Sequence, residues 1–487
     1  RKLKQKKKYS KNNGKMKKRV DITGYKCYIG FINKENILLK QKRCFLQWNY
    51  CLVNERRNRN MKKKLVLGMA GVMAFTTLLG TNVVIGNADE DKVEITYTSR
   101  GNADEIKVYQ QAVDAFNEAQ DKIHVTFEAS PSDGYSQQLI TQLAGGTAAD
   151  VIFVEDTVMS QLVKNGTIAN MKDFLATDDS YVKEEDFGEG VWGAARNDEG
   201  VYGLSVDCNP VVLYYSPKMM EDLGLEDPQS LFEKGEWTWD NFDKICDTLK
   251  ENGKSGMIQS GDTIRLYNWV FANDGTVWQG DEYKFDDKAK EAFQYVCDRI
   301  NDGRFVYGGT LPNGQGEDAM FMSGQTGFIA AGRWLTKTFY EEGIDFDYIP
   351  YPTKDGSQYK PAQVCCGYLS VNAKSEHVKE AMEFASFYCG TQGQEARITG
   401  VGTSVPSVTG LDDMMLDSNV PADVKHILEV RSTGWALGDD CAKDGLYPGL
   451  LDATKAVFEE AYVNGADAEE TLAKAEEKAA EVIAENE

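Results

Sequence analysis

The chain has 487 residues, and its charge is divided so unevenly that the whole-chain average is misleading. Residues 1–88 carry 22 Lys and Arg against 3 Asp and Glu, whereas residues 89–487 carry 32 against 73 and a net charge of −41. An acidic body of this kind excludes nucleic-acid binding, which needs clustered basic side chains, and a content of 42% apolar and 11% aromatic residues excludes disorder.

Residues 1–60 are basic and precede Met61. Their charge fits either an arm for nucleic acid or upstream sequence that is translated in error. Because a complete export signal follows at Met61, the second interpretation is favoured. We therefore expect translation to start at Met61, and we exclude residues 1–60 from the reasoning about fold.

The segment 61–88 has the three parts of a secretory signal peptide. Lys62, Lys63 and Lys64 are followed by an uncharged apolar run, residues 65–79, and small residues then lead to Ala88. A run of 15 residues is short for a membrane-spanning helix, which needs roughly 20. We therefore predict export to the extracellular space or the cell surface.

The exported body, about 399 residues long, has room for two lobes, and it begins with alternating strands and helices. Val93, Ile95 and Tyr97 alternate with polar residues, as in a strand, and an amphipathic helix, a second strand and a second helix follow. Residues 151–154 are continuously apolar, as in a strand covered on both faces. This β-α-β-α-β order predicts an α/β fold with doubly wound parallel sheets.

In such sheets, ligands bind at the carboxyl ends of the strands. The first strand is followed by Ser99, Arg100 and Asn102, and the third by Glu155, Asp156 and Thr157. We therefore expect these hydroxyl, guanidinium and carboxylate groups to face a polar ligand.

The rest of the body continues the α/β pattern. Thr238 is the expected N-cap of a helix. Residues 200–207 are the predicted crossing between lobes, and residues 348–352 are the predicted return. The pattern further predicts strands at 211–215 and 367–371, a small-residue strand and turn from Ala319 to Trp334, and helices after His377 and over 466–487.

The sequence lacks the patterns of a metal site or an enzyme. Seven of its ten Cys lie in the body without a CxxC spacing, and its three His are isolated from one another, so neither a metal nor a cofactor is expected. GxSxG, HExxH and a complete phosphate-binding loop do not occur.

Seven segments, in this order, resemble bacterial extracellular solute-binding proteins, in particular the carbohydrate-binding family 1 of ABC importers. They are Phe116–Glu118, Gly145–Val151, Leu162–Ile168, Leu213–Ser216, Thr238–Phe242, Gly327–Trp334 and Ala381–Phe387. The resemblance runs from about Val93 to about Ser407. The sequence departs from the family at Thr81, where lipid-anchored members have Cys, and at Ser205, where many relatives have proline.

The resemblance implies a two-lobed periplasmic-binding-protein-like fold with a hinge and a ligand cleft between the lobes. It assigns residues 93–206 and 353–410 to lobe 1, and residues 207–352 and 411–487 to lobe 2. It also implies a small carbohydrate ligand, ABC permease subunits in the membrane and, through them, a cytoplasmic ATPase. We expect a monomer, without a lipid anchor because Thr81 replaces the acylated Cys.

The resemblance also suggests contacts to a sugar. Trp334 stands where the family often has a stacking aromatic, and Asp156 where it often has an acid that binds hydroxyls. Asp207 and Asn209 flank the predicted crossing, where similar residues contact sugar in relatives. Asp156 has the alternative role of a helix N-cap, Trp334 that of a core residue, and Asp207 and Asn209 that of hinge hydrogen bonding.

Other candidates rest on side-chain chemistry alone. Arg100 and Arg333 could clamp hydroxyls or an acidic sugar or form a salt bridge between the lobes. An indole face suits a pyranose ring, which makes candidates of several aromatic residues whose alternative is a place in the core: Trp269, Trp278, Trp435 and Tyr368.

Three functions are open at this point. The leading one is a non-enzymatic carrier that closes on a sugar or oligosaccharide and delivers it to an importer. The second is a binder of a polyamine or another small solute, in which acids and aromatics would surround a cation. The third is a secreted glycoside-active enzyme, since a body so rich in acids will hold carboxylate pairs by chance.

Overall fold

The structure is a computed structural model, and it describes residues 92–132, 134–312, 315–398, 400–465 and 467–486. The basic segment 1–60 and the predicted signal peptide 61–88 lie outside the described residues. Within these ranges, none of the helices combines the length and apolar character that crossing a membrane requires.

The strands are short and spread along the body. In chain order they are β1 (Val93–Arg100), β2 (Ile123–Ser130), β3 (Val151–Glu155), β4 (Arg196–Asn197), β5 (Gly200–Val201), β6 (Leu204–Pro210), β7 (Val212–Tyr215), β8 (Ser255–Gln259), β9 (Trp278–Gln279), β10 (Glu282–Tyr283), β11 (Phe305–Tyr307), β12 (Thr326–Ala331), β13 (Asp347–Ile349) and β14 (Val364–Val371).

The helices lie between the strands and continue after the last one. They are α1 (Ala103–Ala119), α2 (Tyr135–Gly145), α3 (Asp156–Lys164), α4 (Lys172–Leu175), α5 (Pro217–Asp222), α6 (Pro228–Glu233), α7 (Trp239–Glu251), α8 (Thr263–Ala272), α9 (Asp287–Asn301), α10 (Glu317–Met322), α11 (Thr336–Glu341), α12 (Val378–Cys389), α13 (Thr391–Ile398), α14 (Asp412–Leu416), α15 (Lys425–Thr433), α16 (Leu450–Asn464) and α17 (Ala468–Asn486).

Two five-stranded sheets organise the body. The first has the order β2-β1-β3-β14-β6, and the second has the order β11-β8-β12-β7-β13. In each sheet the first three strands are parallel, and the last two join them in antiparallel pairings. The predicted β-α-β-α-β order therefore corresponds to β1, α1, β2, α2 and β3, which build the parallel part of the first sheet.

Local sequence signals account for the helix ends near the sheets. The α2 helix ends at Gly145, and Gly146 follows it in the left-handed region, with φ 68°, a conformation that glycine adopts without strain. Thr238 caps α7 as predicted, because its side chain accepts a hydrogen bond from the backbone N–H of Asn241. The capped helix then directs Phe242 and Leu249 into the core.

The cores of the two sheets differ in their aromatic content. Around the first sheet, Phe116 of α1 packs edge-on against Phe384 and Phe387 of α12. Around the second, α7 and α8 bring Phe242 within 5.9 Å of Trp269, measured between ring centroids. Aromatic contacts between helices therefore contribute to both cores.

The chain crosses between the sheets at positions that differ from the prediction. Residues 200–207 are not the crossing, because β6 pairs with β14 and continues to Pro210, beyond the predicted boundary at 206. Only Val211 separates β6 from β7 of the second sheet. The return lies between Ile349 and Val364, so the predicted segment 348–352 begins in β13 and overlaps the return only at residues 350–352.

One element type was also predicted incorrectly. Residues 319–321, which the sequence assigns to a strand, belong to α10, and the strand of small residues that follows is β12. The end of α10 buries Phe321 against Phe339, with ring centroids 5.3 Å apart. This tertiary contact favours the helix over the extended conformation.

Candidate functional site

A row of polar side chains crosses the first sheet near the carboxyl ends of β1 and β3. Arg100 ends β1, and its Nη2 donates to Oε1 of Glu155, the last residue of β3, at 2.5 Å. Gly367 of β14 lies opposite Glu155 on one side and opposite Asp207 of β6 on the other. The strand register therefore brings together three charged groups that are far apart in sequence.

The absence of a side chain at Gly367 keeps this row open. A Cβ at this position would lie 2.4 Å from the Phe153 ring and 3.6 Å from Oδ1 of Asp207. The guanidinium of Arg100 lies over the same Phe153 ring, 5.4 Å from its centroid. The Arg100 side chain is thus held by an ion pair and by an aromatic face.

Asp207 is half-buried, and its Oδ2 accepts a hydrogen bond from Ser404 at 3.0 Å. Burial raises the pKa of Asp207, while Arg397, Ser404 and the backbone of Gly367 act in the opposite direction. The hydrogen bond links β6 to the segment that follows α13 and does not span the crossing between the sheets, so it does not support the predicted hinge role; the carboxylate lies in the row that contains Arg100.

Trp334 lies beside Asn209, at the junction of the two cores. It sits on the short helical turn Arg333–Leu335 after β12 and packs partly buried against both hydrophobic clusters. A Cβ on Gly332 would lie 2.2 Å from Cζ3 of Trp334 and 2.8 Å from Cβ of Asn209. The close approach of these two side chains therefore requires glycine at position 332.

Two features of this corner set it apart chemically from the surrounding core. Trp334 is half-buried, whereas every other Trp in the described part of the chain is at most 6% exposed. Asn209 is 4% exposed, and its Oδ1 has no hydrogen-bond partner among the described residues. An indole face and an unpartnered amide oxygen together suit a polyhydroxylated ring.

Asp156 opens α3, directly after β3, as expected for a residue at the carboxyl end of a parallel strand. It is 9% exposed, and its Oδ2 has no hydrogen-bond partner among the described residues. Burial, helped by the neighbouring charges of Glu155 and Asp262, raises its pKa to about 7. The predicted N-cap role does not apply, because Asp156 lies inside the helix and Glu155 occupies the cap position.

A cleft of about 830 Å³ lies next to this row. Its walls come from α2 and α3 on the side of the first sheet, from the loops that follow β8 and β11 on the side of the second, and from the segment around α16. Ser136 connects the cleft to the row, because it lines the cleft and donates to Glu155. A volume of this size is typical of sites for small organic ligands.

Four of the predicted contact residues are fully enclosed and have no surface to offer a ligand. Trp269 is 0% exposed and donates through Nε1 to Oε1 of Gln259 at 3.1 Å. Tyr368, also 0% exposed, donates to the carbonyls of Val191 and Trp192. These contacts place both rings in the cores, which corrects the expectation that they face the cleft.

Arg333 and Ser99 are the other two enclosed residues, each 0% exposed. Arg333 donates from Nη1 to the carbonyl of Val420 at 2.9 Å, so it fastens the C-terminal part of the chain to β12 and does not clamp a ligand. The Ser99 hydroxyl points along β1, 3.4 Å from the carbonyl of Arg100.

Trp278 and Trp435 are also core residues. Trp278 donates from Nε1 to Oδ2 of Asp444 at 2.8 Å, and its ring stacks on Tyr447, which lines the cleft. Trp278 therefore packs against a residue of the cleft wall and does not line the cleft itself. Trp435 is 2% exposed and packs against Phe271.

Comparisons with known proteins agree with this architecture. The model of the family described as bacterial extracellular solute-binding protein matches residues 102–395, more than half of the chain. The chain belongs to this family. A structure of an ABC substrate-binding protein from Listeria monocytogenes in complex with cycloalternan has a TM-score of 0.69 and 20% identity, covering 81% of this chain and 100% of that one. The two-lobed periplasmic-binding-protein-like fold is thereby confirmed.

Two curated relatives match at lower coverage. A binding protein of Brucella abortus (strain 2308) is 22% identical over 290 residues, a match that covers 57% of this chain and 66% of the relative. The multiple sugar-binding protein of Streptococcus mutans is 22% identical over 355 residues, covering 67% of this chain and 79% of the relative.

The cleft contains residues that the sequence reasoning did not single out. Thr263 and Glu317 each begin a helix of the second lobe, and Tyr447 and Asp452 come from the C-terminal part. The signal for Thr263 was available, because it follows β8 as Asp156 follows β3. Tyr447 carries no such signal, since its place depends on how α16 packs.

Proposed function

We propose that this protein is the extracellular substrate-binding component of an ABC importer, which captures a sugar or oligosaccharide between its two lobes and delivers it to the membrane permease. The observation that carries the proposal is the cleft of about 830 Å³, whose walls are mainly helices and loops beside both sheets. A ligand that contacts both walls favours the closed state over the open one, so binding and closure are coupled.

The proposed contacts are an aromatic face and several planar polar groups. The face of Trp334 packs against the C–H surface of a sugar ring, and Asn209, beside it, hydrogen-bonds to a hydroxyl. Arg100, Asp207 and Asp156 contribute further polar contacts from the first lobe. The relatives support a sugar, since the Listeria protein was solved with cycloalternan and the Streptococcus mutans protein is named for binding multiple sugars.

The proposal extends to the lobes, the partners and the location. Lobe 1 comprises residues 93–210 and 364–410, and lobe 2 comprises residues 211–363 and 411–487, which moves the boundaries to the observed crossings. The monomer delivers its ligand to two permease subunits, which an ATPase in the cytoplasm drives. It carries no lipid, and fatty-acid labelling above that of a secreted control protein would contradict this.

The start site is tested separately. If translation begins at Met61 and cleavage follows Ala88, the mature protein begins at Asp89. Mass spectrometry of N-terminal peptides from the source cells checks this. Abundant peptides from residues 1–60 would contradict it.

A glycan panel tests the main proposal. We expect at least one mono- or oligosaccharide to raise the melting temperature and to bind with a measurable heat in calorimetric titration. Incubation with the bound oligosaccharide should leave it intact, whereas a glycoside-active enzyme would shorten it. A panel without any thermal shift would contradict carbohydrate binding.

One observation favours the second candidate, a polyamine or another small cation. The cleft is lined by Asp262, Glu317, Asp452 and Glu459 but by a single Lys, Lys455. Putrescine and spermidine therefore belong in the same screen. Tight binding of either, together with no response to any glycan, would replace the proposed function.

A further inference from the structure

Three carboxyl groups converge on the cleft from opposite lobes. Asp262 and Glu317 line it from the second lobe, and Asp156 stands beside Thr157, a wall residue of the first. Asp262 is close enough to both of the others to disfavour their ionised forms. Two of these acids thus line the cleft, and the third, Asp156, precedes a wall residue of the opposite lobe.

The basic side chains nearby are largely engaged elsewhere. Nη1 of Arg265 donates to Oε1 of Gln363 and lies 3.8 Å from Sγ of Cys365. Lys455 lies 3.7 Å from Glu459, which reduces its effect on the other acids. One guanidinium therefore stands against three carboxyl groups, and the group of four is net negative when the acids are ionised.

Unpartnered polar atoms at the same place indicate that a ligand is expected there. Thr263 lines the cleft and is 2% exposed, yet its Oγ1 has no hydrogen-bond partner among the described residues. Oδ2 of Asp156 is equally buried and equally without a partner. Buried polar atoms in native proteins are almost always hydrogen-bonded, so a bound group that supplies donors would complete this part of the structure.

We propose that the solute bound in this cleft carries an ammonium group that lies among Asp156, Asp262 and Glu317, so that the ligand is an amino sugar or an amino-oligosaccharide. The inference rests on the proposed function and names the substrate class for the same site.

The physical reason is the cost of incompletely compensated charge. The pKa of both Asp156 and Glu317 is about 7, mainly because both groups are buried; the charges of Asp262 and, for Asp156, of Glu155 also raise it, and the charge of Arg265 lowers it. An ammonium group supplies both the missing positive charge and N–H donors for the unpartnered oxygens. A neutral sugar supplies only weaker hydrogen bonds, and a uronic acid would be repelled.

Matched sugar pairs test the inference. The panel contains amino sugars and amino-oligosaccharides, each paired with the neutral sugar that has a hydroxyl in place of the ammonium. Calorimetric titration of the full exported chain at low salt should give, for at least one pair, a dissociation constant at least 10-fold lower for the cationic member. Equal or tighter binding of the neutral member in every pair would overturn the inference and leave the proposed function standing.

The remaining outcomes are also decisive. If a neutral glycan outside the pairs binds and no cationic member does, the inference is overturned and the carrier function is kept. If no glycan binds at all, the proposed function fails and the inference fails with it. If spermidine binds and no amino sugar does, the site takes a cation but the sugar class is overturned.

Substitutions of these acids test whether they cause the preference for the cationic sugar. Glu317→Gln and Asp156→Asn should each reduce the preference for the cationic member at least 5-fold, with the affinity for its neutral partner changing less. Glu94→Gln is the matched control, because Glu94 is exposed near the amino end of β1, at the edge opposite the carboxyl ends. Circular dichroism shows whether each variant is folded, and an unchanged preference in both folded cleft variants would overturn the assignment.

Discussion

The first and second sheets order their strands in the same way, with three parallel strands followed by two antiparallel ones. Their side chains are used differently. The first sheet carries the row of Arg100, Glu155 and Asp207 at the strand ends. The second is backed by a core rich in indole rings, including Trp237, Trp239, Trp269, Trp278 and Trp435.

Equivalent topology therefore does not place equivalent chemistry at the cleft. In the second lobe, most Trp side chains serve packing, and most of their N–H groups donate inside the protein, as that of Trp237 does to the carbonyl of Pro350 at 2.8 Å. The N–H of Trp435 is buried without a partner among the described residues. Trp334 differs from them because it packs partly buried against both cores. The predictions below separate packing residues from site residues, in order of decreasing effect.

The largest effect is expected for Trp269→Ala in the core of the second lobe. The ring is fully buried, so its removal leaves a cavity and should lower the free energy of unfolding by about 3–5 kcal/mol. Denaturant unfolding measures this, with Trp269→Phe as the milder control. If Trp269→Ala instead lowers ligand affinity and leaves stability unchanged, Trp269 is a ligand contact and not a core residue.

The sequence already contained evidence that Trp269 is a core residue. Apolar side chains of α8 occur on all of its faces, a sequence pattern typical of buried helices. In the structure, every residue of α8 except Arg265 is buried. The residue type alone, by contrast, suggests an aromatic that stacks on sugar. For Trp334, in contrast, the position after Gly332 and Arg333 at the end of β12 did indicate a turn near a strand end.

The position of the crossing between the lobes could not be predicted from the sequence, because it depends on long-range strand pairing. Residues 204–210 pair with β14, about 160 positions further along the chain, and such long-range pairing leaves no local pattern. The β-α-β-α-β order, by comparison, depends on hydrophobic periodicity within each element and was predicted correctly. Cleft residues such as Tyr447 were missed because only tertiary packing places them there.

The second prediction concerns the pH dependence of stability through Asp156. Its pKa is about 7 in the folded protein, above the ordinary value of 3.8, so the folded state holds a proton that the unfolded state has lost between these pH values. Stability should therefore fall as pH rises from about 4 to about 7. Relative to the wild type, Asp156→Asn should gain on the order of 2–4 kcal/mol at pH 8 and much less at pH 4.

Urea unfolding of both proteins at several pH values checks this prediction. The difference between them isolates Asp156, because the other titrating groups are shared. A difference that stays constant from pH 4 to pH 8 would show that Asp156 is ionised throughout, and that the burial at the start of α3 does not shift its titration.

The third prediction concerns Trp334, which lies between the two regions compared. If its face stacks on a sugar, Trp334→Ala should weaken binding by about 1–3 kcal/mol, roughly 5- to 150-fold in the dissociation constant, while the fold remains. Trp334→Phe keeps an aromatic face and should lose less. Unchanged affinity together with a large fall in the unfolding midpoint would assign Trp334 to the core.

The smallest effect is expected for the ion pair between Arg100 and Glu155. Their side chains are 30% and 27% exposed, so solvent screens the pair and a double-mutant cycle with Arg100→Gln and Glu155→Gln should give a coupling of about 0.5–1.5 kcal/mol. The pair also positions the row, because Glu155 accepts from Ser136 of the cleft wall as well. Arg100→Lys separates the two roles.

Lysine keeps the charge of Arg100 but lacks its Nε–H, which is buried without a hydrogen-bond partner among the described residues, and it cannot present a planar fork. If the guanidinium contacts the ligand, Arg100→Lys should lower affinity more than it lowers stability. If the arginine only orders the edge of the first sheet, stability and affinity should change little, and together. Calorimetric titration of this variant measures its affinity, and urea unfolding measures its stability. Together they decide whether Arg100 contacts the ligand or only stabilises the first sheet.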